Sequence, residues 1–143
     1  MTSEYKILIT GGNGQLSIDL AQVFEGTDLV VLSHEALDIS QSHQVEEALQ
    51  HYKPEVVINA AALTDVDGCE HNVEQAQLVN AQGPKNLVRG AQLVGARVVQ
   101  ISTDYVFDGA LDRPYVECDQ TNPQSIYGLT KLAGEQAMRN SDL

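Results

Sequence analysis

Residues 5–17 read Tyr5-Lys6-Ile7-Leu8-Ile9-Thr10-Gly11-Gly12-Asn13-Gly14-Gln15-Leu16-Ser17. The run 5–9 is apolar and of strand length, and Thr10-Gly11-Gly12 ends it. From residue 14 to 25 the period changes, with Leu16, Leu20, Val23 and Phe24 on one helical face. A strand that feeds a helix through glycines is the opening unit of a nucleotide-binding sheet. Glycine admits positive φ and lets a phosphate approach the backbone. The helix N-terminus presents free N–H groups and partial positive charge to a pyrophosphate. The spacing is Gly11-x-x-Gly14-x-x-Ser17, with the small Ser17 where a third glycine usually allows close helix–strand packing. Such a turn alone is also compatible with a purely structural role, and its place in the wider pattern decides for a ligand.

That pattern repeats outward. Strands are expected at 29–33, 55–59 and 97–101, with a short extended piece at Leu37-Asp38-Ile39. A helix opening near Ser40 or Ser42, either of which could cap it, carries Val45, Ala48, Leu49 and Tyr52 and ends at Lys53-Pro54. A longer helical pattern covers about 72–94, with Val73, Ala76, Asn80, Leu87, Ala91 and Val94 near one side and Pro84 kinking or dividing it. Residues 108–124, rich in Gly, Pro and Asp, read as a loop that either closes over a substrate or does nothing. A last helix from Ile126 to Arg139 turns Leu129, Leu132, Ala133 and Ala137 inward. Continuous apolar strands between helices specify a parallel sheet covered on both faces, hence an α/β, Rossmann-like doubly wound fold. Residues 1–143 read as one such domain, incomplete after five strands. A sheet ending there leaves an open edge and an uncovered face, so self-association is expected.

Charge and composition remove other classes. Eight Lys and Arg against 20 Asp and Glu give −12 in 143 residues, which argues against nucleic acid and against an anionic membrane surface. The apolar fraction of 43% is that of a globular domain, and no run reaches the ~20 residues of a membrane span. The N-terminus lacks signal-peptide features, and the two cysteines make no disulfide framework, so a cytoplasmic location is expected. His34, His43, His51 and His71 lack metal-ligand spacing and read as solvated, so no metal is expected. Cys69 and Cys118 have no CxxC partner and read as non-catalytic.

Chemistry is carried near the end of the chain. Tyr127 and Lys131 share a helix face at i, i+4. A nearby ammonium stabilises a phenolate, so such a Tyr can give a proton to a ketone receiving hydride. Ser102-Thr103-Asp104 lies at the C-terminal end of a strand, where open α/β sheets bind ligands, and a Thr hydroxyl there could bond the same oxygen. About 20 residues beyond the glycine turn an acid usually meets the adenosine ribose, and Glu35 and Asp38 both qualify. No Arg or Lys lies between Asp28 and Val45, which favours NAD over NADP unless another segment supplies the cation.

These residues carry a resemblance. Ile9 to Leu16, Leu37-Asp38-Ile39, Asn59-Ala60-Ala61-Ala62, Val66-Asp67, Val79-Asn80-Ala81, Ser102 to Gly109 (STDYVFDG) and Tyr127 to Leu132 resemble the extended short-chain dehydrogenase/reductases over essentially the whole chain. Within them the likeness is to the 4-ketoreductases of dTDP-linked 6-deoxysugars. The resemblance implies hydride transfer from NADPH or NADH to the 4-keto carbon of a nucleotide-sugar. It implies Tyr127 as proton donor, Lys131 as the group that lowers its pKa and holds the nicotinamide ribose, and Thr103 on the substrate oxygen with Asp104 on the sugar. It implies a cofactor site of Gly11, Asn13, Gly14, Gln15 and Leu16 at the pyrophosphate and Asp38 and Ile39 at the adenine. It also implies that Ala60, Ala61, Ala62, Leu63 and Thr64 line the groove, with Asn80 beneath. Ser17 and Leu63 depart from the family pattern, which has Gly at the first and Tyr or His at the second. Members run to about twice this length, so the resemblance implies a missing C-terminal substrate domain. Two other readings share these motifs: a non-catalytic regulatory module, as in the β-subunit of methionine adenosyltransferase, and a nucleotide-sugar epimerase or dehydratase.

Overall fold

The computed structural model of the chain describes residues 5–141. Four parallel strands form one sheet in the order β2-β1-β3-β4, with β1 at Lys6–Thr10, β2 at Asp28–Leu32, β3 at Val56–Asn59 and β4 at Arg97–Gln100. The register sets Val30, Leu8, Val57 and Val98 side by side across all four strands. Because side chains alternate along a strand, this row faces one side and the row Val31, Ile9, Ile58, Val99 the other.

Helices α2 (Ser42–Tyr52) and α5 (Gly83–Val94) cover the first face. Leu8, Val57, Val45, Leu49, Leu87 and Ala91 form its core at zero exposure. Each large side chain of that core is worth about 1.5–3 kcal/mol of burial. Helix α1 (Gln15–Val23) covers part of the second face, packing Leu20 and the following Phe24 on Ile7, Ile9 and Ile58. The cover is incomplete there, and Val99 stays 47% exposed on β4, which has a strand neighbour on one side only among the described residues. No helix among the described residues is long and apolar enough to cross a membrane.

Several local expectations change. Leu37-Asp38-Ile39 is a loop rather than a strand, so the sheet has four strands among the described residues, not five. Leu37 and Ile39 are nonetheless buried, with Asp38 between them turned toward the surface, an alternation that mimics a strand. Neither Ser40 nor Ser42 caps α2; Gln41 holds the cap position with no side-chain bond, and Asp38 accepts the Ser40 N–H instead. In α1, Leu16 and Val23 are exposed, and the inward position between them is Ser17, fully buried. A short helix not anticipated, α3 (Val66–His71), is started by Asp65, whose carboxylate accepts the Gly68 N–H.

The long helical pattern is continuous but changes pitch. Helix α4 (Val73–Gln77) passes through a π-helical stretch, Leu78–Gln82, into α5. Pro84 has no N–H to donate into the preceding turn, and the backbone accommodates it by widening rather than breaking. The widened turn delivers Asn80 to the interior at 2% exposure. The last helix, α6 (Ile126–Arg139), starts at Ser125, whose hydroxyl accepts the Gly128 N–H. Its inward face is not Leu129, which is 51% exposed, but Tyr127, Gly128, Thr130, Lys131 and Gly134. On that face Tyr127 joins a small apolar cluster with Cys69 and Ala76, while the small and polar residues beside it meet the π turn and α5.

Candidate active site

The sheet order places the reversal of strand order between β1 and β3, and open α/β sheets bind ligands in the crevice outside such a switch point. The glycine turn leaves β1 and Ala60-Ala61-Ala62 leaves β3, so both rims of the crevice come from these segments. Gly11 is required here: its φ is +71°, and a Cβ would lie 2.8 Å from the Ala61 Cα. The two rims therefore touch through backbone. Ser17 secures the turn from below, donating its hydroxyl to the Gly11 carbonyl at 2.7 Å and lying 3.2 Å from the Thr10 carbonyl. No side chain caps α1, so the N–H groups of its first turn remain available to an anion.

Above the turn runs a cleft in two parts that share Gly14, Ala60 and Ala62. The first part, about 340 Å³, brings together the predicted Gly11, Asn13, Gly14, Asp38, Ile39, Ala60, Ala61 and Ala62. The second, about 490 Å³, holds Gly14, Gln15, Leu16, Thr64, Tyr127 and Lys131. Leu63, expected with its neighbours, also lines the first part, and residues that sequence reasoning missed complete the walls: His34, Leu37, Gln75 and Val79 in the first, Ser17, Asp19, Ile101 and Ser102 in the second. Ser102 was legible as the neighbour of Thr103, whereas Gln75 and Val79 reach the cleft only through the packing of the α4–α5 helix. Glu35 stands near the first part, its carboxylate 3.4 Å from the Asn13 amide.

Asn80 lies outside the cleft wall. Its carbonyl accepts the Leu63 N–H at 2.8 Å, and its amide lies 3.0 Å from the Leu63 carbonyl and 3.2 Å from the Thr130 hydroxyl. It ties the segment after β3 to α6, which positions the cleft without touching its contents. Cys69 is buried against this segment with its Sγ 3.8 Å from the Leu63 carbonyl, and burial pushes its thiol up, which suits packing rather than nucleophilic attack.

Tyr127 is 9% exposed, with its ring edge-on to Tyr105 at 5.5 Å. Lys131 is 3% exposed, and its ammonium donates to the Ile101 carbonyl at 2.5 Å. Burial holds its pKa below the usual lysine value, against the opposing pull of the Glu135 carboxylate. A chain of side-chain hydrogen bonds, buried at Thr10 and Asn59, leads to the carbonyl that receives Lys131. Thr10 donates to Asn59 at 2.6 Å, Asn59 to Gln100 at 2.7 Å, and Gln100 to the same Ile101 carbonyl at 2.9 Å. Thr103 and Asp104 stand in a neighbouring hollow rather than in the wall beside Tyr127. The Thr103 hydroxyl starts the short 3₁₀ turn Asp104–Val106, accepting the Tyr105 N–H at 3.2 Å and lying 3.3 Å from the Asp104 carboxylate.

The loop 108–124 is organised by two carboxylates. Asp108 accepts from the Ala110 N–H, the Tyr115 hydroxyl and the Asn122 amide. Asp119 receives both Arg113 guanidinium nitrogens at 2.7 Å and the Val116 N–H at 2.9 Å. The hydrogen bonds and charge of Arg113 pull Asp119 down to about 2 from its ordinary 3.8. A depressed carboxylate contributes stability above the unfolded value and loses it as pH falls through the folded one. The latch is therefore complete above about pH 4 and opens as pH falls through about 2. A side-chain NMR titration of Asp119 checks this, and Arg113→Met is expected to return the midpoint toward that of a free carboxylate.

The fold and the cleft define a Rossmann-like α/β domain of the short-chain dehydrogenase/reductase type. The chain belongs to the family described as RmlD substrate binding domain, whose model matches residues 5–143. A dTDP-4-dehydrorhamnose reductase of Mycobacterium tuberculosis (strain ATCC 25618 / H37Rv) is 48% identical over 139 residues, covering 93% of this chain and 45% of the relative. The crystal structure of a dTDP-4-dehydrorhamnose reductase from Clostridium acetobutylicum ATCC 824 is 48% identical, with a TM-score of 0.92 over 94% of this chain and 49% of the other. That of a dTDP-4-dehydrorhamnose reductase from Bacillus anthracis str. Ames, in complex with NADP, is 38% identical, with a TM-score of 0.92 over 96% of this chain and 50% of the other. The chain thus spans about half the length of the relatives it matches.

Proposed function

We propose that this chain is the cofactor-binding part of an NAD(P)H-dependent reductase that converts dTDP-4-dehydrorhamnose to dTDP-rhamnose in the cytoplasm, with residues 1–143 forming the NAD(P)-binding domain. The observation that carries the reading is the convergence of Tyr127 and Lys131 on the same cleft as the glycine turn. The residues fit a dinucleotide. The two cleft parts meet over Gly14, where uncapped N–H groups suit a pyrophosphate, and Gly11 leaves no side chain between the rims. Gly11, Asn13, Gly14, Gln15 and Leu16 hold the pyrophosphate, Asp38 and Ile39 the adenosine end, and Ala60, Ala61, Ala62 and Thr64 the floor.

A bound NAD(P)H supplies the hydride to the carbonyl carbon. Tyr127 then gives its phenolic proton to the carbonyl oxygen as negative charge develops there. The Lys131 ammonium, fixed on the Ile101 carbonyl, stabilises the phenolate that remains. Thr103 and Asp104 orient the sugar from the adjoining hollow.

Calorimetry with NADH and NADPH, together with oxidation of each by a dTDP-4-keto sugar, tests the reading. Binding and turnover are expected. Binding without turnover, in a protein that includes the partner half, supports the regulatory-module reading, and no binding removes both. The 143-residue polypeptide is also expected to self-associate through the open β4 edge and the exposed Val99. A sedimentation profile of a single monomer across concentration removes that expectation.

A further inference from the structure

Two adjacent residues at the end of β4 grip two residues one turn apart on α6. The Ile101 carbonyl takes the Lys131 ammonium, and the Ser102 hydroxyl donates to the Glu135 carboxylate at 2.5 Å. The other Glu135 oxygen lies 3.4 Å from an Arg139 guanidinium nitrogen that is itself largely in solvent. Lys131 is buried, yet no carboxylate lies within ion-pair distance of its ammonium among the described residues. Nothing in the reaction described above uses Glu135.

We propose that Glu135 is a positioning residue: held by Ser102, its carboxylate fixes the strand end that leads to Thr103 and supplies the negative charge that the buried Lys131 ammonium otherwise lacks. This rests on the assignment of Lys131 to the reaction.

The surroundings single out Glu135. Asp19 lines the same cleft from α1, and Tyr127 lies one turn before Lys131. Asp104 is exposed on the 3₁₀ turn, in the hollow that Glu135 also lines. Glu70 of α3 is engaged at the other end of α6, accepting the Ile126 N–H at 2.8 Å. Glu74 and Lys85 of the α4–α5 helix line a groove on another side of α6, beside Leu129 and Ala133. Glu135 alone is bonded to the segment that also binds Lys131. Burial lowers the Lys131 titration and the Glu135 charge raises it, in agreement with that geometry.

The experiment is an NMR titration of the lysine side chains. The chain has four lysines, and the Lys131→Met spectrum assigns the one that matters. Glu135→Gln keeps an oxygen to accept from Ser102 but removes the charge. The Lys131 midpoint is expected to fall in this variant, whereas a role confined to holding Ser102 leaves it in place. Glu135→Asp keeps the charge and is expected to restore part of the shift. If Glu135→Gln does not fold, Ser102→Ala takes its place, since it releases the carboxylate toward solvent and the midpoint again falls. A Lys131 midpoint equal to wild type in the folded variant overturns the proposal. Failure of the underlying assignment has a different signature. Lys131→Met would then leave the NAD(P)H affinity at its wild-type value, whatever Glu135→Gln does to Lys131.

Discussion

For the reaction proposed above, carried out by a protein that includes the C-terminal half, Tyr127→Phe is expected to lower turnover of the dTDP-4-keto sugar by about 10²–10⁴-fold, the range for loss of a positioned acid, while NAD(P)H affinity stays within a few-fold of wild type. The substitution removes one oxygen and nothing else that the structure uses. The ring is buried and rests edge-on against Tyr105, and phenylalanine keeps that contact. Among the described residues no hydrogen bond depends on the Tyr127 hydroxyl, so the fold has no reason to change. The Lys131 ammonium stays on the Ile101 carbonyl, which is set by the amide chain through Gln100 and Asn59 rather than by Tyr127. Steady-state kinetics with either cofactor, alongside calorimetry, checks the pair of outcomes. Retention of the wild-type kcat would mean that another group protonates the alkoxide. A parallel collapse of cofactor affinity would mean that the phenol binds rather than reacts.

The elements that could be read from sequence are those whose apolar period is set by one neighbour. β1 and β3 are apolar because both faces are covered, and α2 presents Val45 and Leu49 to one sheet face, so their patterns are simple. The glycine turn and the Tyr-x-x-x-Lys spacing were legible because local backbone geometry places them. What stayed hidden depends on several partners at once. Leu129 looks like a core residue of α6, but the helix rolls so that Thr130 and Gly134 meet the π turn and Lys131 the segment after β4 instead. Nothing in a linear pattern marks Lys131 as a buried cation, because its acceptor is a backbone carbonyl thirty positions away. Leu37 and Ile39 alternate like strand residues, yet Asn86 of α5 donates to the Ile39 and Ser40 carbonyls and holds the segment as a loop. Ser17 reads as a substitute for glycine. Its hydroxyl in fact stitches the turn, a bond that becomes visible only when the Gly11 carbonyl is seen above it.

Gly134→Ala is expected to destabilise the fold by about 1–3 kcal/mol, the usual cost of overpacking a tight contact, and to weaken NAD(P)H binding with it. A Cβ at this position lies 2.5 Å from the Asn80 carbonyl oxygen and 3.1 Å from the Pro84 Cγ. Neither atom can yield cheaply, since the first is backbone within the π stretch and the second belongs to a fully buried proline ring. Alanine gains about 1 kcal/mol over glycine in a helix interior, which reduces the loss but does not cancel a contact this short. The helix must therefore move outward. That motion stretches the Asn80–Thr130 hydrogen bond, and Asn80 also holds both backbone groups of Leu63 in the cleft wall. Displacement of α6 also carries Tyr127 and Lys131 away from the glycine turn, so stability and cofactor affinity fall together. Gln136→Ala, exposed on the same helix, is the control and is expected to stay within about 0.5 kcal/mol of wild type. Urea denaturation of the three proteins decides the matter. Equal or greater stability of Gly134→Ala would show that α6 crosses the π turn more loosely than the contact with Asn80 requires, and the coupling from that crossing to the cleft would fall with it.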